Sequence, residues 1–320
     1  MNTITVDGCS ICQLKCPQCP VSQMGYQNTI GKGYLKYIDF CKLISRNPDI
    51  KHIEFDNFGE LFLNPDLPAI MTASYLRNIM LSCAGGVNFN TVSNHLLKSL
   101  VKTRFQYLNI SIDGASQETY GEYRVGGNYA QVIHNIECIN HYKREFKTPY
   151  PKLQWQFIVF GHNEHEIRKA KQTAESLNMR FYPKMNWNSS YSPIKNPEQV
   201  KEDTGWDVTT REEYEEKYGS SYMRQTCCQL WDFPRRSWDL STTGCCWNIW
   251  QRFTKETLES AKHDLMYCGT IESSHPCSVC EIYQDMIYTR NHLTNFEILK
   301  HLHKKRLSTA IKYWLWRLNI

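Results

Sequence analysis

Short runs rich in β-branched and aromatic residues alternate with longer amphipathic stretches over the first 185 residues or so. The runs predict strands at Thr3–Val6, His52–Asp56, Val87–Thr91, Tyr107–Ile112, Leu153–Val159 and Arg180–Tyr182. Helices are predicted between them, among others at Leu35–Arg46, Leu67–Met80, Asn128–Tyr142 and Glu164–Leu177. Regular strand-helix alternation argues for parallel strands joined by right-handed crossovers. Six such units predict an α/β fold, an incomplete (β/α)6 barrel covering residues 1–185. Residues 186–226, with Ser189-Ser190-Tyr191-Ser192-Pro193 and Asn196-Pro197, shift in composition and read as a connecting segment. Cysteines and turn residues then crowd residues 227–290, which predict a small second domain, and residues 291–320 predict a terminal helix. No internal repeat or low-complexity tract interrupts this order.

Composition narrows the classes. Apolar residues make up 41% and charged residues 22% of the 320, and mean hydropathy is −0.53. No apolar run approaches the ~18 residues of a membrane span, which excludes a polytopic membrane protein, and the same balance excludes a disordered or collagen-like chain. The first residues carry neither a basic segment nor a long apolar one, so no secretion signal is read and a cytoplasmic location is expected. The net charge of +5 does not mark a nucleic-acid-binding protein. Six Lys/Arg without an acid lie in residues 300–320, so the rest of the chain is close to neutral and the basic character belongs to the tail. Fourteen cysteines are many for a reducing compartment, where structural disulfides do not persist, and point to metal or redox chemistry.

The first cysteine cluster, Cys12, Cys16 and Cys19, has the spacing C-x3-C-x2-C directly after the first predicted strand. Three thiolates on one tight loop can hold three irons of a cubane and leave the fourth as an open coordination site. Cys9, two residues removed from Cys12 in a C-x2-C spacing, keeps a closed four-ligand zinc or iron–sulfur site as the alternative. The loop's place at the mouth of a predicted barrel, where active sites gather, favours the open site.

In this cysteine spacing and in the segments that follow, the chain resembles the radical S-adenosylmethionine superfamily over nearly its whole length. The resemblance implies that Cys12, Cys16 and Cys19 hold a 4Fe-4S cluster whose open iron chelates S-adenosylmethionine, reductively cleaved to a 5'-deoxyadenosyl radical. Two departures stand out. Gln18 occupies the usual aromatic position before the last cysteine, and Phe58-Gly59-Glu60-Leu61 replaces the usual Gly-Gly-Glu-Pro. The resemblance also implies that Gly59 and Glu60 receive the cationic methionine amino group, whereas a loop turn with a solvated Glu is the plainer reading. Ser111 is similar to the ribose-binding position, and strand alternation puts Asp113 on the same face; capping of the turn before Gly114 explains Asp113 equally well. Arg124 resembles a carboxylate-binding arginine, and guanidinium forks suit carboxylates. Asn163, after the fifth strand, resembles a further cofactor contact.

The second cluster comprises Cys227-Cys228, Cys245-Cys246, Cys268, Cys277 and Cys280. Four ligands close a site, and a single C-x2-C knuckle favours an iron–sulfur cluster over a zinc ribbon. With Trp238-Asp239-Leu240 and Gly244, the segment resembles the auxiliary-cluster extension called a twitch domain, the short form of the SPASM domain. The resemblance implies a second 4Fe-4S cluster on Cys227, Cys245, Cys277 and Cys280, Cys245 falling six residues after the hairpin aspartate Asp239, with Cys228 and Cys246, equally far apart, as the alternative register. Leu240 stands where a glycine is usual. Cys228 and Cys246 are candidates to return a hydrogen atom to a substrate radical, as in the family's epimerases; packing beside the cluster is the alternative. Cys41, Cys83 and Cys138 read as small buried hydrophobes.

In the tail, Leu307, Ile311, Trp314, Leu315 and Leu318 share one helical face, with Lys305, Arg306, Lys312 and Arg317 outside it. Packing on the barrel is expected, and contact with a membrane surface or partner is the alternative. The resemblance as a whole implies an enzyme that abstracts a hydrogen atom from an unactivated C–H bond, leading to dehydrogenation or epimerisation, with an external electron donor of flavodoxin or ferredoxin type. Eleven residues before Cys12 leave no room for a leader-peptide-binding domain and tilt the expected substrate toward a sugar-like or other small metabolite. Maturation of a ribosomally made peptide is the nearest rival, and a non-catalytic iron–sulfur or zinc adaptor is the rival from another class.

Overall fold

A computed structural model of the chain describes residues 2–23, 25–56, 58–219, 222, 227, 230, 235–242 and 255–292. It forms two compact units, residues 1–220 with 238–240 and residues 221–237 with 241–320. In the first unit the chain runs β1 (Asn2–Asp7), α1 (Tyr37–Arg46), β2 (Ile50–Asp56), α2 (Leu67–Leu76), β3 (Met80–Val87), α3 (Asn94–Lys102) and β4 (Tyr107–Ser111). It continues through α4 (Gln117–Tyr123), α5 (Tyr129–Glu145), β5 (Lys152–Val159), α6 (Ile167–Ser176) and β6 (Arg180–Met185). The six strands pair in sequence order and all are parallel. This is the α/β order that strand-helix alternation predicts.

A period of two along each strand separates the faces. Ile53 and Phe55 of β2, Leu108 and Ile110 of β4, and Leu153, Trp155 and Phe157 of β5 join one apolar core. Helices supply its other half through residues three and four apart: Phe40, Leu43 and Ile44 of α1, Leu96, Leu97, Leu100 and Val101 of α3, and Val132, Ile136 and Ile139 of α5. The opposite face is polar, and its side chains satisfy one another. Asn109 donates to Gln156 at 3.0 Å, Gln154 donates to Asn109 at 3.2 Å, and Ser82 donates to Glu54. Side-chain caps fix three helix starts: Ser93 on α3, Ser116 on α4 and Asn128 on α5.

The third strand differs from its sequence reading. It spans Met80–Val87, not Val87–Thr91, and the preceding helix stops at Leu76 instead of Met80. Asn78 takes φ 54°, a left-handed conformation that ends the helical path and lets Met80 open a strand. Gly85 and Gly86 lower the strand propensity of this segment and obscured it. Gly86 itself has φ 107°, and a Cβ there would sit 2.5 Å from the Ser111 hydroxyl, so the register shift between Cys83 and Val87 depends on glycine.

In the second unit, helix Lys255–His263 continues into a wider turn at Asp264–Cys268, and Pro276–Val279 leads into helix Glu281–His292. Leu230, Ala261, Leu265, Tyr283 and Met286 form its apolar core. Arg236 and Thr242 of this unit bridge antiparallel, and in the first unit Leu240 is held at φ 64° where a glycine would be unstrained. Among the described residues no helix is long and apolar enough to cross a membrane. The expected helix of residues 291–320 falls outside the described residues from 293 onward.

Candidate functional site

β1 ends at Asp7, and the chain then forms the loop that carries Cys12, Cys16 and Cys19 before a short helix at Pro20–Gln23. The loop is tightly tied. Cys19 N–H donates to the Cys16 carbonyl at 3.1 Å, the Ser22 hydroxyl donates to the same carbonyl at 2.8 Å, and Lys15 N–H donates to the Val125 carbonyl at 3.0 Å. Gln13 anchors the other side through Asn88 at 3.0 Å and Thr91 at 2.6 Å. The three cysteines gather with Leu14, Tyr123, Ile158 and Phe160 in one apolar cluster. Burial pushes the Cys12 thiol up to about 12, with Glu60 adding to the effect, and raises the Cys16 thiol against the pull of Arg124. Cys9 is also buried, but its sulfur is engaged with the Ile11 backbone N–H at 3.4 Å.

Each further element of the site hangs on the C-terminal end of a strand, where parallel α/β sheets place their ligands. After β2, Gly59 approaches the Cys9 backbone so closely that a Cβ would meet the Cys9 carbonyl oxygen at 2.3 Å. This contact lets Glu60 N–H reach the Ile11 carbonyl at 2.7 Å and brings the Glu60 carboxylate beside the cysteine loop. Glu60 is buried, accepts the Asn88 N–H at 2.7 Å and the Phe62 N–H at 3.3 Å, and burial raises its pKa from 4.5 to about 7. A solvated loop carboxylate, the plainer reading of the sequence, is not what the fold contains.

After β4, Asp113 is fully buried and its carboxylate accepts the Arg124 Nε at 2.6 Å and the Ile158 N–H at 2.6 Å. The Arg124 Nη1 lies 3.7 Å from the Cys16 sulfur. Burial alone would lower the Arg124 pKa, yet Asp113 and Cys16 hold the guanidinium charged. Ser111, at the end of β4, accepts from Gln156 at 3.4 Å. Asn163 spends its side chain on backbone: it donates to the Asp113 and Ile158 carbonyls at 3.0 Å each and accepts the Phe160 N–H at 2.8 Å. It shapes the turn under Asp113. Asn88 escaped the sequence reading, and its amide donates to the Cys12 sulfur at 3.5 Å. The misplaced third strand hid it, since Asn88 is the first residue beyond the true strand end.

The donor set tests which group fits. Three soft sulfurs on one loop in an apolar pocket suit an iron–sulfur cluster and not a hard oxygen-seeking cation. A bound cation-bearing cluster would reverse the rise in the thiol pKa values. Gln18, only 6% exposed, leaves both its amide oxygen and its amide nitrogen without a protein partner. An unmade pair of this kind costs ~1–3 kcal/mol, and a bound group offering a donor and an acceptor would relieve it. The residues therefore fit a cluster with a polar organic ligand beside it.

Of the second cysteine set, Cys227, Cys277 and Cys280 are partly buried against the same apolar cluster of the second unit. Cys280 N–H donates to the Cys277 carbonyl at 3.1 Å. Cys228, Cys245 and Cys246 lie outside the described residues. Cys268 is exposed and stands with His263 and Asp264, their ligand atoms within 4.8 Å of one another.

No protein-family profile matches the sequence, and no curated protein matches it. Solved structures do share its fold. Streptococcus suis SuiB bound to S-adenosylmethionine is 13% identical, covering 87% of this chain and 67% of that one, with a TM-score of 0.57. SuiB bound to precursor peptide SuiA is 12% identical over 93% of this chain and 72% of that one, again with a TM-score of 0.57. The protein anSMEcpe with bound AdoMet is 15% identical over 98% of each chain, with a TM-score of 0.53.

Proposed function

We propose that this chain is a radical S-adenosylmethionine enzyme. The observation that carries the reading is the convergence of three cysteines on one loop with a buried carboxylate, Glu60, at the C-terminal end of a parallel sheet. A 4Fe-4S cluster with S-adenosylmethionine, when bound there, supplies one-electron cleavage of the cofactor and hydrogen-atom abstraction from an unactivated C–H bond.

The chain's residues divide the remaining work. Cys12, Cys16 and Cys19 hold three irons, and the hydrogen bond from Asn88 to Cys12 tunes the potential, as donors to cluster sulfurs do. Glu60 receives the methionine ammonium; a cation beside it offsets the burial that raises its pKa and restores its ionised form. Gly59 sets its position by close backbone approach. Ser111 would serve the ribose, and Arg124, oriented by Asp113 and close to Cys16, would hold the cofactor carboxylate. The amide-rich sheet face orients a polar substrate through groups already fixed in a hydrogen-bonded network. In the second unit, Cys227, Cys277 and Cys280, with Cys245 as fourth ligand, would hold an auxiliary cluster, which would supply an acceptor for an electron from the substrate. Where a thiol, Cys228 or Cys246, returns hydrogen instead, the outcome is epimerisation.

A sugar-like or other polar small metabolite fits the amide-lined face. A peptide substrate is the second reading, favoured by the likeness to SuiB, which was solved with its precursor peptide. Anaerobically reconstituted, reduced full-length chain incubated with deuterated cell metabolites tests both readings. Deuterium in 5'-deoxyadenosine supports hydrogen abstraction, and its absence with intact iron content supports a non-catalytic adaptor.

A further inference from the structure

Four cations converge at the end of the first unit's sheet away from the cysteine loop. Lys152 opens β5, Arg180 opens β6, and Lys143 and Arg144 lie in the last turn of α5. Together with Tyr107 and Leu153 they line a cavity of about 770 Å³ that has no Asp or Glu in its wall. The nearest acid on α5, Glu145, is engaged elsewhere, with Lys98 at 3.1 Å and His141 at 3.9 Å. Lys143 and Arg144 complement the C-terminal dipole of α5, which accounts for two of the four charges. Lys152 and Arg180 begin strands and answer no dipole. Burial lowers the Lys143 pKa, and the charge of Lys152 lowers it further, so these two cations repel each other.

We propose that this cavity binds a phosphorylated small molecule, with the phosphate held by Lys143, Arg144, Lys152 and Arg180 and an apolar or flat body against Tyr107 and Leu153. The shape favours this class over a polymer backbone. The cations come from three elements and face one recess, whereas a nucleic acid tracks an extended stripe of charge. An arginine adds the bidentate geometry that phosphate oxygens accept.

Calorimetric titration of the full-length chain with inorganic pyrophosphate at fixed ionic strength tests the proposal. Saturable binding is expected, weakened at least tenfold in the doubly substituted Lys143→Met, Arg180→Met chain and unchanged by Lys171→Met on the exposed surface of α6. Circular dichroism checks that the double variant folds; the single variants Lys143→Met and Arg180→Met, each expected to weaken binding, serve if it does not. Vesicles containing phosphatidic acid separate a lipid headgroup, which would retain the protein until pyrophosphate displaces it, from a free phosphate ester, which would not. Absence of saturable binding, or an equal loss in Lys171→Met, overturns the proposal.

Discussion

Replacing Glu60 with Gln isolates the electrostatic strain at the centre of the site. A carboxyl whose pKa is higher in the folded than in the unfolded chain favours folding only while it is protonated. Its cost is therefore absent below about pH 4.5 and grows as the pH rises through about 7. The gap between the ordinary 4.5 and about 7 makes that cost ~1 kcal/mol at pH 5 and ~3 kcal/mol at pH 8 for the cofactor-free protein. Gln removes the charge, keeps an acceptor for the Asn88 N–H and gives up the longer bond from Phe62, a loss of ~1 kcal/mol that does not vary with pH. Glu60→Gln is thus expected to match the parent at pH 5 and to exceed it by ~2 kcal/mol at pH 8. Urea unfolding of both cofactor-free chains, followed by tryptophan fluorescence at the two pH values, reads the difference. A gap that is the same at pH 5 and pH 8, or a variant weaker than the parent at pH 8, refutes the reasoning.

Asp113→Asn leaves the buried Arg124 charge without its partner and is expected to cost ~3 kcal/mol in urea unfolding at pH 7. Gly59→Ala drives a Cβ into the Cys9 carbonyl, so a fall of several degrees in Tm and reduced iron uptake on reconstitution are expected. Gly33→Ala places a Cβ 2.5 Å from the Trp238 ring, whose Nε1 donates to the Ile30 carbonyl, and is expected to lower Tm as well. Replacing Cys227, Cys277 and Cys280 with Ala is expected to remove roughly half of the bound iron while leaving cleavage of S-adenosylmethionine measurable.

What the sequence made legible follows the range of the interactions involved. The gathering of Cys12, Cys16 and Cys19 on one loop follows from their local spacing and needs no knowledge of the fold. The parallel order of the sheet followed from alternation alone, because β-rich runs and amphipathic stretches have different periods. Asn88 was invisible for the opposite reason: its role depends on where β3 ends, and Gly85-Gly86 erased that strand's local signature. The pairing of Asp113 with Arg124 joins a strand end to the C-terminal cap of α4, and Asn163 proved committed to backbone through contacts fifty residues apart in sequence with Asp113. The cationic cavity assembles Lys143, Lys152 and Arg180 from separate elements that no motif links.

The central claim is tested most directly by the Cys12→Ala, Cys16→Ala, Cys19→Ala chain, reconstituted anaerobically with iron and sulfide, reduced, and incubated with S-adenosylmethionine beside the parent. The account predicts 5'-deoxyadenosine from the parent and none from the variant, which retains roughly half of the parent's iron in its second unit. Equal formation of 5'-deoxyadenosine by both chains, or none from a parent that carries its full iron, would contradict it.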